Sequence, residues 1–347
     1  MDTEAQLIER IARAIPSNEG RFTMAGPKGG RLRVGIGDDA AVVTPRKGRV
    51  LIWTCDAFLQ DVHFLADVHP PDSVGYKSLA RATSDIAAMG GVPRLFLLTL
   101  ALPASFTGAW LDQFLRGMGR AARQLGLRLA GGDTTRASKV FISITVLGDT
   151  EPGLAVPRSG ARPGDIVYVS GTLGRAELGL KLVRSGFLKR RPSDPRFRRL
   201  LQPHLYPRIR IELGAWLARN RLASAMMDIS DGLSTDLGHI CTESRVGARI
   251  WAERIPCVEI PAGLARRFGR AHLEPLQLAL HGGEDYELLF AVPPKFANRM
   301  ESAPGRPRLT AIGEFTRGKQ VVLVGTDERT SRLVPGGWDP FRAKQND

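Results

Sequence analysis

Acidic residues recur in this sequence at turns flanked by glycine or serine and set beside short apolar runs, and that pattern limits the architectures open to it. The first instance is Gly35-Ile36-Gly37-Asp38-Asp39-Ala40-Ala41-Val42-Val43. Its glycines permit a tight turn. Adjacent carboxylates repel, so the pair is easiest to tolerate where a cation or solvent compensates it. The small apolar run at 40–43 reads as a buried strand. Further acidic stretches follow at 84–91, 129–135, 226–233 and 280–290. Short apolar runs ending in such turns, alternating with amphipathic stretches, predict a mixed α/β (α+β) protein.

In chain order, residues 31–56 read as strand, acidic turn and strand, running into Cys55-Asp56. An Asp ending an apolar strand faces the mouth of a sheet, where ligands sit, or is a turn residue. His63 suits a general base, a phosphate partner or a packed side chain. Residues 72–90 have helical spacing, with Asp72 or Ser73 as N-cap. Asp85 stands there among small apolar residues, a setting in which a charge tends to be paired or metal-bound. Residues 95–102 and 140–147 read as strands and 109–125 as an amphipathic helix. Between them, Gly131-Gly132-Asp133 lets a phosphate approach backbone N–H groups, with the Asp placed to hold Mg²⁺ beside it.

A length of 347 residues favours two domains. The Gly- and Pro-rich stretch 148–164 marks the boundary, giving an N-terminal domain at 1–150 and a C-terminal domain at 151–347. Arg158 in that stretch suits a phosphate clamp or an exposed linker. Residues 166–170 read as a strand and 185–207, rich in Arg and Pro, as a mobile excursion. At 226–233, Asp228 and Ser230 share a face if the strand persists that far. Ser230 or Asp231 then caps the following helix. Glu284, Asp285 and Glu287 surround a Gly-Gly turn before another strand. Trp338 and Phe341, in the Gly-rich tail, anchor packing or stack on a flat heterocycle.

Composition excludes several classes. A net charge of +14 arises mostly from dispersed Arg, with one dense run at Lys189-Arg190-Arg191. No zinc-finger spacing, helix-turn-helix signature or aromatic interleaving accompanies it, so no nucleic-acid partner is expected. No apolar run approaches the length of a membrane span. The first residues lack the order of a signal peptide. Three widely spaced cysteines suggest neither a disulfide framework nor a zinc site. A cytoplasmic protein is expected.

Asp39, Asp56, Asp85, Asp133, Asp228 and Asp231 are hard oxygen donors of the kind that suits Mg²⁺ bridging phosphates. Metal ions, an Arg clamp and positioning are what phosphoryl transfer requires. The excess of carboxylates repels a bare polyphosphate, so several Mg²⁺ ions are needed to admit ATP. No P-loop and no protein-kinase motif set is present.

These residues resemble the thiamine-monophosphate kinases, relatives of aminoimidazole ribonucleotide synthetase, selenophosphate synthetase and a hydrogenase-maturation protein. The resemblance spans roughly residues 5–341. It rests on Gly-Ile-Gly-Asp-Asp-Ala-Ala at 35–41, Asp-Val-His-Phe at 61–64, Ser-Asp-Ile-Ala-Ala-Met-Gly at 84–90, Gly-Gly-Asp-Thr-Thr-Arg at 131–136, Asp-Ile-Ser-Asp-Gly-Leu at 228–233 and Gly-Gly-Glu-Asp-Tyr-Glu-Leu at 282–288. It implies direct transfer of the ATP γ-phosphate to thiamine monophosphate, giving thiamine diphosphate and ADP. It implies Mg²⁺ ligands at Asp39, Thr54, Asp56, Asp85, Asp133, Asp228 and Asp231, with Cys55 inside the strand segment of that set. ATP contacts would come from Gly132, Asp133, Arg158 and Ser230, and thiamine-phosphate contacts from His63, Glu284 and Trp338. The implied assembly is a homodimer whose N-terminal ATP- and metal-binding domains pair into a β-barrel. The C-terminal domain would complete the site.

Two positions depart from the family pattern. Cys55 stands where Thr is common, and Ala82 where Asn is usual shortly before Ser84-Asp85. Selenophosphate synthetase would need a reactive Cys close to the N-terminus, and none precedes Cys55. The hydrogenase-maturation protein would end in Cys, whereas this sequence ends Lys344-Gln345-Asn346-Asp347. Aminoimidazole ribonucleotide synthetase fits the 282–288 and Gly-Gly-Trp segments less well. A non-catalytic nucleotide or RNA binder would show salt-sensitive polyanion binding without turnover.

Overall fold

The computed structural model describes residues 3–17, 20–22, 30–36, 38–186, 195–268, 273–301 and 307–341. Gly37 and the Lys189-Arg190-Arg191 run lie outside the described residues. Two compact units are formed: Met1–Ala155 with Gly186–Arg191 and Leu205–Arg219, and Val156–Ser185 with Pro192–His204 and Asn220–Asp347.

In the first unit, α1 (Glu4–Ala14) precedes strands β1 (Gly20–Phe22), β2 (Gly30–Val34), β3 (Val42–Thr44) and β4 (Val50–Leu59). Then come α2 (Pro71–Ala88), β5 (Val92–Leu102), α3 (Ala109–Leu125), β6 (Arg128–Arg136) and β7 (Phe141–Thr150). Strands β1-β2-β3 form a small sheet, and a four-stranded sheet has the order β4-β7-β5-β6. Only the β5–β6 pair of that sheet is parallel, joined through α3. Period-2 alternation gives the sheet an apolar face: Phe96, Leu98, Leu100, Ile142, Ile144 and Val146 are buried in one core with residues of α2 and α3. Those helices touch through glycines. A Cβ on Gly75 would lie 2.0 Å from the Phe114 carbonyl oxygen, and one on Gly117 1.8 Å from that of Asp72.

The opposite face of the sheet is covered only in part, where Leu95, Ala130 and Leu147 are buried with Leu32 of the small sheet and Val43 packs against them. Leu51 and Trp53 on β4, Leu97 on β5 and Phe141 on β7 are 36–60% exposed. These exposed apolar side chains share the face with Cys55 and the hydroxyls of Ser143 and Thr145. The run at 40–43 is not the buried strand expected: Val42, on the outer strand of the small sheet, is 51% exposed. Nor does Asp72 or Ser73 cap α2. Pro70 is its N-cap, with no side-chain cap bond, and the Ser73 hydroxyl donates to the Pro70 carbonyl. Helix α2 therefore begins with proline, whose fixed φ already suits the first turn.

The main remaining elements are β8 (Ile166–Ser170), α4 (Arg175–Arg184), α5 (Pro195–Leu205), α6 (Ile211–Arg219), β9 (Ala225–Asp228), α7 (Leu233–Ser244), β10 (Gly247–Trp251), α8 (Ala262–Phe268), α9 (Pro275–His281), β11 (Leu288–Val292) and α10 (Ala297–Glu301). β12 (Leu309–Thr316), β13 (Val321–Val324) and β14 (Thr330–Arg332) follow. Helix α6 returns to the first unit. The second unit is built on a seven-stranded sheet of order β14-β13-β10-β12-β8-β11-β9. Strand β11 lies between β8 and β9 and is buried throughout, which explains its unbroken apolar sequence. Residues 195–205, expected to lie in a mobile excursion, are helical. His204 explains part of this: it is fully buried and packs against Gly179 of α4.

Candidate active site

The expected site residues fall in both units. In the first, the pleat of β4 sends alternate side chains to opposite faces. Thr54 donates a hydrogen bond to Asp85 on α2, and Asp56 accepts one from Arg81 Nε of α2 at 3.2 Å. Cys55, on the other face, meets the hydroxyls of Ser143 and Thr145 at 3.5 and 3.4 Å. A cavity of about 1000 Å³ lies over that face, with Asp39, Trp53, Gly132, Asp133 and Thr145 in its lining. His63 Nδ1 accepts from the Leu59 backbone N–H at 3.0 Å, which leaves the Nε2 side of the ring as the donor. The Phe58 ring packs beside it, 5.4 Å between centroids.

The second unit gathers its expected residues more tightly. Asp228 ends β9 and is 3% exposed. Beyond it the chain leaves the strand. The Glu284 N–H donates to the Ser230 carbonyl (2.8 Å), the Tyr286 N–H to Ile229 (2.9 Å), and the Trp338 N–H to Asp231 (3.0 Å). Residues 228–231 are thus tied through backbone hydrogen bonds to the segments that carry Glu284 and Trp338. The approach is close enough that a Cβ on Gly337 would fall 1.9 Å from the Asp231 carbonyl oxygen. Glu284 and Tyr286 hold φ of 66° and 50°, each a cost of about 1 kcal/mol or more that the surrounding bonds must offset. Arg158 is exposed, and its carbonyl accepts from the Ser244 hydroxyl.

Several contributors were not evident in the sequence. Neither Ser230 nor Asp231 caps α7. The N-cap is Gly232, and the carboxyl of Asp236 instead accepts the backbone N–H groups of Ser230, Asp231 and Gly232. Burial, then the nearby charges of Asp228 and Asp231, push the Asp236 carboxyl well above the usual carboxylate range. Asp285 accepts the N–H groups of Gly174 (2.6 Å) and Ala176 (3.0 Å), closing the N-terminus of α4 from another part of the chain. Burial is the main cause of its pKa rising to about 7. His204 Nδ1 lies 3.1 Å from Glu284 Oε2. An Asp in the first turn after Gly232 was the available signal for Asp236. Asp285 stood out in its Gly-Gly turn, but nothing local marks its partners at the α4 N-terminus, and nothing local marks His204.

As donors, these carboxyl and hydroxyl oxygens fit Mg²⁺. Among the described residues, no group of three or more His, Cys, Asp or Glu side chains is gathered to hold a metal ion by itself. That arrangement suits a cation completed by water and substrate phosphates better than one caged by protein. No described helix is long and apolar enough to cross a membrane.

Comparison with known proteins decides the family. The AIR synthase related protein N-terminal domain matches residues 37–150, and the C-terminal domain matches residues 162–325. Thiamine-monophosphate kinase of Aquifex aeolicus is 34% identical over 306 residues, 88% of this chain and 92% of that protein. The Escherichia coli K12 enzyme of the same name is 36% identical over 315 residues, 89% and 92% of the two chains. The chain belongs to the thiamine-monophosphate kinase family. Among solved structures, thiamine-monophosphate kinase from Stenotrophomonas maltophilia K279a superposes with a TM-score of 0.76 at 35% identity, covering 91% of this chain and 95% of that one. AaThiL complexed with AMPPCP and TMP does so at 0.73 and 34%, covering 87% and 91%. The E. coli hydrogenase maturation protein HypE gives 0.74 at 20% identity over 98% of this chain, a likeness of fold alone. The two-domain α/β architecture expected of thiamine-monophosphate kinases is therefore the one present.

Proposed function

We propose that this chain phosphorylates thiamine monophosphate, transferring the γ-phosphate of ATP to its phosphate and releasing thiamine diphosphate and ADP. The observation that carries this reading is the backbone hydrogen bonding of residues 229–231 to Glu284, Tyr286 and Trp338. A segment bearing side chains suited to metal and nucleotide is there joined to segments bearing side chains suited to an aromatic phosphate ester. Curated relatives of that name, and a relative complexed with AMPPCP and TMP, support it.

Bound Mg²⁺ would neutralise charge on the phosphates of donor and acceptor. Asp39, Asp56, Asp85, Asp133, Asp228 and Asp231 are the residues proposed to hold it, with Thr54 and Cys55 on the same strand. In the first unit, Gly132 and Asp133 would face the nucleotide across the cavity. In the second, Ser230 would offer a hydroxyl and Arg158 an exposed guanidinium to phosphate oxygens. Trp338, 43% exposed, offers a face for ring stacking. His63, with Nε2–H as donor, suits a phosphate oxygen. His204 Nδ1, 3.1 Å from Glu284 Oε2, would help to hold that carboxyl in place. Catalysis on this reading is positioning and electrostatics, with no covalent enzyme intermediate.

The exposed apolar side chains on the partly covered face of the four-stranded sheet support a homodimer, its two copies closing into a barrel. Dependence on ATP supports the cytoplasm as the place of action. Purified protein, ATP, Mg²⁺ and thiamine monophosphate, analysed by chromatography, test the reaction. Thiamine diphosphate is expected with the monophosphate and not with free thiamine. ATP binding without product would reject the assignment and direct attention to Cys55 and Ala82.

A further inference from the structure

The N–H groups of three successive residues, Ser230, Asp231 and Gly232, point at one atom, Asp236 Oδ2, at 3.1, 3.2 and 3.0 Å. They stand at the N-terminus of a twelve-residue helix, α7. Convergent amides at such a place ordinarily receive a phosphate or another anion. Here a side chain of the protein already fills that position. The other oxygen, Asp236 Oδ1, is buried without a hydrogen-bond partner, although the residue has no exposed surface. Leaving a buried oxygen unsatisfied costs about 1–3 kcal/mol. An Asp serving only to cap a helix has no need of that cost, because an exposed cap would do the same. The next residues of the turn are also engaged: the Gly336 and Gly337 N–H groups donate to the Ser234 and Thr235 hydroxyls.

We propose that Asp236 is a positioning residue that sets the polarity of the 228–231 loop. By occupying the amides of Ser230, Asp231 and the adjoining Gly232, Asp236 denies them to phosphate and leaves the loop to engage phosphate through cations held by Asp228 and Asp231. The loop would otherwise be an anion cradle, competent to hold inorganic phosphate without metal. The inference deepens the kinase reading and rests on it. Wild-type turnover tests that reading, whereas the amide measurements below need no turnover.

Two measurements on the full chain decide the matter. The first follows the backbone amide resonances of Ser230, Asp231 and Gly232 in the wild-type protein during titration with inorganic phosphate lacking Mg²⁺. No shift is expected; saturable shifts at these amides would overturn the proposal. The second compares Asp236→Ala with Asp236→Asn after circular dichroism has established folding. Asp236→Ala should raise the half-saturating Mg²⁺ concentration about tenfold and make inorganic phosphate a competitor of ATP. Asp236→Asn, which keeps an acceptor oxygen, should restore both responses. A folded Asp236→Ala enzyme with wild-type Mg²⁺ and phosphate responses, whatever its melting temperature, would refute the proposal. Should Asp236→Ala not fold, the wild-type titration alone decides it.

Discussion

Single side chains differ in how they meet the substrates, and kinetics can separate them. Trp338 presents an exposed ring beside the 228–231 loop while its backbone N–H bonds to Asp231. Trp338→Ala keeps that backbone bond and removes only the stacking surface. The KM for thiamine monophosphate should therefore rise about tenfold or more while the KM for ATP changes little; equal rises in steady-state assays would count against stacking. Asp85 makes the complementary case. Its carboxyl accepts from Thr54, so Asp85→Asn preserves size and hydrogen bonding while removing charge. Turnover should be lost with the circular dichroism spectrum unchanged, and wild-type activity would exclude Asp85 as a metal ligand. Asp39, Asp85 and Asp133 stood out in the sequence as proposed ligands because acids beside glycine or among small residues recur along it, and Asp228 because it opens the Asp-Ile-Ser-Asp-Gly-Leu stretch. The roles of Asp285 and His204 did not, because their partners are distant in sequence (Gly174 lies 111 residues from Asp285, and His204 meets Glu284) and no local pattern encodes such a meeting. Asp236 takes amides only four to six residues before it, but from inside the helix.

Secondary-structure elements were readable wherever their periodicity was long. The helix expected at 109–125 and the strand at 166–170 match α3 and β8, because buried amphipathic faces leave period 3.6 or continuous apolar runs. Ends and edges were less legible. Val42 and Val43 have strand composition, but composition does not reveal that β3 is an outer strand of its sheet. The capping of α7 went unrecognised because its acceptor sits inside the helix. Packing between elements carries its own consequences. Gly117→Ala would force α3 away from the Asp72 carbonyl, and overpacking of this kind costs about 1–3 kcal/mol; a lowered urea midpoint at unchanged slope is expected. At the α4 N-terminus, Asp285 has its pKa raised to about 7 in the folded protein. The unfolded chain releases that proton near the ordinary carboxylate value. Stability contributed by this group is thus full at acid pH, falls as pH rises toward about 7, and is level above it. Thermal melts of Asp285→Asn against wild type should show the variant gaining relative stability across that window and no further. A constant difference would mean that Asp285 does not titrate there.

At the scale of the whole molecule, the first unit is incomplete on one side. One face of its four-stranded sheet is covered by α2 and α3, while the other exposes Leu51, Trp53, Leu97 and Phe141. Antiparallel sheets tolerate one solvated face when that face is polar, and this one sets four large exposed apolar side chains among Ser143 and Thr145. A second copy presenting the same surface satisfies both halves at once, since a two-fold interface is self-complementary. Leu51 and Phe141 lie outside the cavity lining and are 43% and 36% exposed in the single chain. A double variant, Leu51→Glu with Phe141→Glu, therefore removes little buried surface from the isolated chain but places like charges across the proposed interface. Sedimentation equilibrium should find a dimer for the wild type and a folded monomer for the variant. The outcome also bears on catalysis, because the cavity holding Asp39 and Asp133 opens on the same face of the sheet. If ATP is bound beside the dimer interface, the monomeric variant should lose ATP affinity although none of the expected ATP contacts has been altered. A variant that stays dimeric would place the interface elsewhere and leave that face without a partner of its own kind.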